Sequence, residues 1–319
     1  MSEVVIRTAG IEDAETLVVF AHRLSEAEGN PPPGFDAAIC LRDGFGRRPR
    51  FAALIAETGG RAAGYALHCR SYDTDRVVRA VQLADLYVES WARGKGLGFA
   101  LARAVGRAAA PAGIVAMHWM VLRRNARART FYRRFAREDD KLRHCNLAGE
   151  ALPKLARRVP SSAATLRPVE RKDASALSGL IDRLLLAVGE EGLGFDAGPR
   201  LAADGFGAEP WFKALIAEEH GAVRGYALFW SNYSTDGGGP VLFLSDLLVD
   251  EAARGSGLAL DLTAAVAREA LAGGHVAVQW DVLENNARAR AFYRRFAEES
   301  DQELSVICAG EDFQQLIAG

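Results

Sequence analysis

Trp119-Met-Val-Leu-Arg-Arg-Asn-Ala-Arg-Ala-Arg-Thr-Phe-Tyr-Arg-Arg-Phe-Ala136 returns 161 residues later as Trp280-Asp-Val-Leu-Glu-Asn-Asn-Ala-Arg-Ala-Arg-Ala-Phe-Tyr-Arg-Arg-Phe-Ala297, with 14 of the 18 positions identical. Shared composition does not produce such a match, so the chain carries one unit twice. The same offset lays Asp43-Gly-Phe-Gly46 on Asp204-Gly-Phe-Gly207 and Gly64-Tyr-Ala-Leu67 on Gly225-Tyr-Ala-Leu228. Toward the N-terminus it drops to 160, with Ile6-Arg7 on Leu166-Arg167 and Gly34-Phe-Asp36 on Gly194-Phe-Asp196, as one inserted residue near Ala202 requires. A period this long duplicates a whole domain rather than a short solenoid unit. Pro153, Pro160, Ser161 and Ser162 interrupt the pattern between the copies. The expected organisation is a first domain over 1–149, a linker over 150–163 with a short helix near 152–158, and a second domain over 164–319.

Composition agrees with two cores. The chain has 319 residues, 49% of them hydrophobic and 25% charged, as in soluble globular proteins. A formal net charge of -2 gives no long-range field that would draw the molecule to nucleic acid or to an anionic membrane. Cys40, Cys69, Cys145 and Cys308 have neither C-x-x-C spacing nor a histidine at zinc-finger distance, and the six histidines show no ligand spacing, so no metal is expected. Scattered cysteines of this kind are small buried hydrophobes in a reducing compartment. Residues 1–15 lack the apolar core of a signal peptide, and no run approaches ~18 apolar residues, so a cytoplasmic protein is expected.

Within the first unit, period and punctuation predict a strand at 4–8, a helix at 11–28 ended by Pro31-Pro-Pro33-Gly34, and a second helix up to Asp43. Strands at 51–57 and 63–69 flank Gly59-Gly60, a hairpin signal. A strand at 81–88, a glycine-rich turn, a helix to about 110, a strand at 114–121, a helix at 125–135 and a last strand at 142–147 complete it. The sum is an α/β (α+β) unit with a mixed, mainly antiparallel sheet and helices on both faces.

Two features carry chemistry. The turn Arg93-Gly-Lys-Gly-Leu-Gly98 and its copy Arg254-Gly-Ser-Gly-Leu-Ala259 contain Arg-x-x-Gly-x-(Gly/Ala) between a strand and a helix. Small residues let backbone N–H groups approach a phosphate, and the first helical turn supplies unpaired donors and a partial positive charge. The turn is neither a Walker A loop nor a dinucleotide fingerprint, and a tight turn that needs glycine for its backbone is the alternative reading. Asn125 and Tyr132 lie two helical turns apart on one face, as do Asn286 and Tyr293. A tyrosine hydroxyl aimed into a cleft can protonate a leaving thiolate; the alternative is a Phe-Tyr pair that packs the helix on the sheet.

Taken together, strand, Arg-x-x-Gly-x-Gly/Ala turn, helix, strand and Asn-x-x-Ala-x-x-Phe-Tyr resemble the GCN5-related N-acetyltransferase (GNAT) superfamily. The likeness is closest to its spermidine/spermine (diamine and thialysine) acetyltransferase branch, through Asp43-Gly-Phe-Gly46, Leu54-Ile-Ala-Glu57, Gly64-Tyr-Ala-Leu67, Asp85-Leu-Tyr-Val88, Arg93 to Gly98, and Met117-His-Trp-Met-Val-Leu122 with Phe131-Tyr132. The resemblance covers nearly all of both units and implies two tandem GNAT folds, each with a splayed strand pair that admits acetyl-CoA. It implies that Leu86, Tyr87 and Val88, the turn Arg93, Gly94, Lys95, Gly96, Leu97 and Gly98, and Asn125 hold the cofactor. The matching positions of the second unit are Leu248, Val249, Arg254, Gly255, Ser256, Gly257, Leu258, Ala259 and Asn286. It further implies that an amine attacks directly, that Tyr132 and Tyr293 act as general acids, and that Asp85 and Asp246 are candidate bases.

The branch's glutamate before the strand aspartate is absent, with Ala84 and Ser245 in its place, and the glycine after Phe-Tyr-Arg-Arg-x is Ala136 or Ala297. Glu28 sits where the branch has an acidic residue, but its counterpart is Val188. The expected activity is acetyl transfer to a primary amine of a small molecule, polyamine-like, diamine-like or amino-acid-like. A tandem enzyme of the mycothiol-synthase type and a non-catalytic acyl-CoA sensor are the alternatives. Relatives that are homodimers suggest a pseudo-dimer within the chain, with further self-association left open.

Overall fold

The structure, a computed structural model, describes residues 4–318 and holds two seven-stranded sheets. The first half runs β1 (Val4–Thr8), α1 (Ala14–Glu28), α2 (Ala37–Gly44), β2 (Ala52–Thr58), β3 (Arg61–Asp73), β4 (Val78–Val88), α3 (Leu97–Ala109), β5 (Ala116–Leu122), α4 (Ala126–Tyr132), β6 (Arg137–Asp139) and β7 (Leu142–Ala148). After α5 (Ala151–Ala156) the order repeats as β8 (Thr165–Pro168), α6 (Ala174–Ala187), α7 (Gly198–Asp204), β9 (Lys213–Glu219), β10 (Ala222–Ser234) and β11 (Gly239–Val249). It closes with α8 (Leu258–Ala272), β12 (Ala277–Leu283), α9 (Ala287–Tyr293), β13 (Glu298–Ser300), β14 (Glu303–Ala309) and α10 (Glu311–Ala318). Among the described residues no helix is long and apolar enough to cross a membrane, and the four cysteines are buried and free.

Local chemistry accounts for the elements. Gly59 and Gly60 both have positive φ, 60° and 73°, the conformation that lets a two-residue turn follow the twist of β2 and β3. In α3, Leu97, Leu101, Ala102, Val105 and Ala109 recur at helical spacing and are buried against the sheet. The sheets are antiparallel except for the β4–β5 and β11–β12 pairs.

The folded units are not the sequential halves. In the first sheet the order is β1-β2-β3-β4-β5-β14-β6, and in the second β13-β7-β12-β11-β10-β9-β8. Thus β14 lies along the whole of β5, from Glu303 opposite Leu122 to Ala309 opposite Ala116. In return β7 lies along β12, with Leu142 opposite Leu283 and Ala148 opposite Ala277. Leu304, Val306 and Cys308 of β14 and Phe313 and Leu316 of α10 complete the first core. Cys145 and Leu147 of β7 and Leu152, Leu155 and Ala156 of α5 complete the second. The expected division at residues 149 and 164 therefore describes the repeat in sequence, whereas each core takes its inner strand and covering helix from the other half.

Reciprocal hydrogen bonds accompany the exchange. Tyr72 donates to Asp204 at 3.3 Å and Tyr233 to Asp43 at 3.0 Å. Thr74 donates to Asp246 and Thr235 to Asp85, each at 2.9 Å. Each donor finds the carboxylate that its counterpart finds in the other half, the signature of an isologous contact. This accounts for the recurrence of Asp43-Gly-Phe-Gly46 as Asp204-Gly-Phe-Gly207. At Gly34 the amide donates to Asp236 O at 3.0 Å, and a Cβ on Gly238 would lie 2.5 Å from Gly34 O. The β10–β11 turn therefore needs glycine to reach the first half.

Leu304→Ala empties a fully buried position of the first core and is expected to cost about 2–5 kcal/mol. Because Leu304 belongs to the second half in sequence, denaturant unfolding followed by tryptophan fluorescence should remain one transition with a lower midpoint. A separate second-half transition at an unchanged midpoint would contradict the exchange.

Candidate acetyl-transfer site

The cleft begins where two strands part. β4 pairs with β5 only over Ala80–Gln82 opposite Ala116–His118. Beyond these positions the strands diverge, with Leu86, Tyr87 and Val88 on one wall and Trp119 on the other. On its far edge β4 stays paired with β3, but the register shifts so that Asp85 faces Leu67 while Leu83 faces His68. Ala84 is thus the extra residue of a bulge, a device that re-aims the side chain after it, here Asp85. The second sheet repeats the arrangement, with β11 and β12 paired over Val241–Phe243 and Ala277–Gln279 and Ser245 as the bulge residue. Leu248 and Val249 follow on the opened strand.

The turn after β4 is built for open donors. Gly94 and Gly96 have φ of +80° and +82°, a region that only glycine enters readily. No side chain caps the N-terminus of α3, which leaves its first N–H groups open. Among the described residues, no atom lies within 4 Å of a Cβ built on either glycine, so the backbone is open to a ligand. Arg93 does not point outward: its Nε donates to Val88 O at 2.8 Å and locks the turn to the strand. Leu97 is buried in the core and Lys95 is exposed. At Gly98 a Cβ would come 3.5 Å from the Phe131 ring, an ordinary contact that explains why Ala259 serves at the same place. Gly255 and Gly257 repeat the positive φ, at 88° and 91°, while Arg254 pairs with Glu251.

Asn125 and Asn286 have a structural occupation that their motif did not disclose. Their side-chain oxygens accept from Ala128 N at 3.0 Å and Ala289 N at 3.1 Å, as helix N-caps. Arg129 and Arg133 bind Glu138, and Arg290 and Arg294 bind Glu299, which fixes each tyrosine helix to its sheet. Tyr132 and Tyr293 are buried, each 4.9 Å from the ring of Trp119 or Trp280. Both indole N–H groups are buried, and among the described residues neither has a hydrogen-bond partner. A buried donor left unpaired costs about 1–3 kcal/mol, and its recurrence at one place in both halves marks where a ligand acceptor fits. The splayed strands, the open turn and this donor together suit an acyl-CoA chain. Sequence reasoning missed both tryptophans, since a tryptophan in an apolar strand reads as core.

A cavity of about 110 Å³ opens beside Tyr132. Its lining includes Leu24, Glu28, Asp85 and Trp119 of the first half and Thr235, Asp236 and Glu303 of the second. Burial pushes the Glu28 carboxyl up to about 7, aided by the negative charges of Asp236, Asp85 and Glu303. Burial also raises Asp85 to about 6, although hydroxyls of Tyr65 at 2.5 Å and Thr235 at 2.9 Å stabilise its charge. Asp236 and Glu303 are raised too, chiefly by burial. Tyr132 is raised by burial and then by Glu28 and Asp85, so it keeps its proton at neutral pH. Asp236 and Glu303 could not be found from the first repeat, because the β10–β11 turn of the second half brings the one and the exchanged β14 brings the other.

The matching place in the second half keeps some of these groups and lacks others. Asp246 accepts from Tyr226 at 2.8 Å and from Thr74 at 2.9 Å, and burial raises it. Asp75 stands in the place of Asp236 and is pushed up to about 7 by burial. Val188 replaces Glu28, and Leu142, opposite Leu283 as Glu303 is opposite Leu122, replaces Glu303. His144 and Asp281 meet at 3.1 Å. Burial alone would lower His144, but Asp281 outweighs it and raises the imidazole above its ordinary value.

Comparison with known proteins follows the same lines. The pattern that defines the Acetyltransferase (GNAT) family matches residues 19–136 and again 193–297. Thialysine N-epsilon-acetyltransferase of Bos taurus is 31% identical over 169 residues, which span 49% of this chain and 99% of the relative. The Mus musculus protein of the same name is 34% identical over 128 residues, 36% of this chain and 75% of the relative. A tandem GNAT protein from the clavulanic acid biosynthesis pathway shares the fold over 96% of this chain and 98% of its own, with TM-score 0.52 at 16% identity. A GCN5-related N-acetyltransferase from Sphaerobacter thermophilus does so over 95% and 94%, with TM-score 0.51 at 18% identity.

The raised carboxyls carry a stability consequence. A carboxyl whose folded pKa exceeds its unfolded value stabilises the fold at low pH, and that contribution is lost as pH rises through the folded pKa. For Glu28 the window runs from the ordinary value of 4.5 to about 7. Glu28→Gln is therefore expected to raise the melting temperature at pH 8 and to leave it nearly unchanged at pH 4, in thermal scans at matched ionic strength. A fall at pH 8 would contradict the burial of a strained charge.

Proposed function

The chain belongs to the Acetyltransferase (GNAT) family, and on that premise we propose that its first half moves an acetyl group from acetyl-CoA to a primary amine of a diamine-like or amino-acid-like small molecule. The observation that carries this reading is the meeting of Tyr132 with Glu28, Asp85, Asp236 and Glu303 at the parted strands. Four carboxylates in one small cavity favour a cationic guest. Bound acetyl-CoA supplies an activated thioester. The open edge at Leu86–Val88 and the donors of the turn from Arg93 to Gly98 would hold its pantetheine and pyrophosphate.

The chain's own groups then divide the proton work. Both Asp85 oxygens are engaged by Tyr65 and Thr235, so Asp85 orients the incoming amine, and Glu28, tuned to about 7, takes its proton. The neutral amine nitrogen bonds to the thioester carbon, the carbon–sulfur bond breaks, and Tyr132 gives its proton to the departing sulfur. Glu28 releases its proton and Tyr132 recovers one through solvent, which restores the starting state.

The test is coenzyme A release with diamines, polyamines, thialysine and lysine, with product masses recorded. Tyr132→Phe is expected to lower kcat by roughly 10²-fold or more while acetyl-CoA affinity stays within about twofold, as for an acid that acts only in the chemical step. Wild-type kcat/KM should rise from pH 6 to pH 8 as Glu28 ionises near 7, and Glu28→Gln should flatten that rise. No turnover with any amine, alongside intact acetyl-CoA binding, would overturn the proposal in favour of a sensor.

A further inference from the structure

The two phosphate turns share a backbone but differ in what lies over them. In the second half, Asp261 occupies the first turn of α8 with no side-chain exposure. Its Oδ2 accepts from the backbone N–H groups of Ser161 and Ser162 at 2.8 and 2.7 Å, both in the linker. Arg158 lies 3.5 Å from Oδ1 of the same carboxylate and donates to Ser161 Oγ at 2.9 Å. From α8, Arg268 donates to the carbonyls of Ala156 and Arg158 at 3.1 and 3.4 Å. The linker is thus seated on the start of α8, and Ser161 Oγ occupies the space that a Cβ on Gly257 would need. In addition, Ser256 Oγ accepts from Leu258 N at 3.3 Å, which takes up one donor of that helix.

Of these contacts, the one from Arg268 to Ala156 recurs in the first half, where Arg107 donates to the Ile317 carbonyl of α10 at 2.7 Å; the differences lie at Asp261 and Ser256. Ala100 stands at the position of Asp261 and Lys95 at that of Ser256. Met1 and Ser2, which the 160-residue offset lays on Ser161 and Ser162, are outside the described residues.

From this asymmetry we propose that the linker closes the second phosphate turn, so that the chain binds one acyl-CoA, in its first half. The inference rests on the acyl-CoA reading given above. Steric and electrostatic effects act together. Ser161 fills the space over Gly257 that a phosphate oxygen would approach. Burial would push the Asp261 carboxyl up, but the N–H donors of Ser162 and Ser161 and the charge of Arg158 hold it below the usual carboxylate range. It is therefore an anion at neutral pH, already placed where the helix terminus favours one, and it opposes a second. The acceptor side agrees, since Val188 and Leu142 have removed two of the carboxylates that line the first pocket. The second half then serves the first, through Thr235, Asp236 and Glu303, instead of duplicating it.

Isothermal titration of the full chain with acetyl-CoA tests this directly. The expected stoichiometry is one per chain. Gly98→Glu, which puts a carboxylate at the first turn, should abolish binding altogether instead of leaving one equivalent. Asp261→Ala combined with Arg158→Ala unpins the linker and should add a second, weaker equivalent, while the retained first equivalent reports that the variant is folded. Two equivalents in the wild type, one surviving in Gly98→Glu, or no second equivalent in the unpinned variant would each overturn the proposal. Absence of any binding in the wild type would remove the acyl-CoA reading, and this inference with it.

Discussion

The hydrogen bond from Thr235 to Asp85, with its mirror from Thr74 to Asp246, ties the bulged strand of each half to the hairpin turn of the other. A carboxylate that is buried at a bulge needs donors, because an unpaired buried charge is costly. Tyr65 supplies one donor from the same half, and the second must come from outside it. The β10–β11 hairpin turn of the other half supplies that donor. Strand exchange reinforces this tie: after each tyrosine helix and the short β6 or β13, the chain enters a strand, β7 or β14, that pairs in the other sheet, and α5 and α10 cover the opposite cores.

From this constraint the asymmetry of the molecule follows. As an N-acetyltransferase of the GNAT family, the protein needs a place for an acyl donor and a place for an amine. Duplication gives two of each, and exchange places residues of one copy in the acceptor pocket of the other. A change in the second copy can then serve the first site: Glu303 on β14 and Asp236 at the β10–β11 turn enrich a pocket whose tyrosine lies in the first half. Once residues of the second copy are committed in this way, its own donor site is free to be lost. The linker that joins the copies lies across it.

Much of the fold was legible because it rests on local patterns. The 161-residue repeat, the Gly59-Gly60 hairpin, the helix α3 and the glycine-rich turn before it are facts that a sequence displays. The exchange was not legible, since β7 and β14 have the same alternation whichever sheet they join, and a repeat gives both sheets the same preference for them. For the same reason Asp236 and Glu303 had no sequence signal that linked them to Tyr132. Asn125 shows a different gap: the family resemblance implies a cofactor contact for it, and the structure adds that its side-chain oxygen caps its own helix, a role that Asn at a helix start also signals. Trp119 and Trp280 read as core by strand periodicity, and only the orphaned indole donors set them apart.

The central claim is that one acceptor site is assembled from both halves, and Glu303→Gln examines it most directly. Glu303 lies 171 residues from Tyr132 in sequence and reaches the pocket only on the exchanged strand. Steady-state kinetics of the variant, with the amine varied at saturating acetyl-CoA, should show kcat/KM for the amine reduced about tenfold or more, equivalent to about 1.4 kcal/mol of lost transition-state binding. The KM for acetyl-CoA should be unchanged. Amine kinetics equal to those of the wild type would contradict a shared site and return the two halves to independent status.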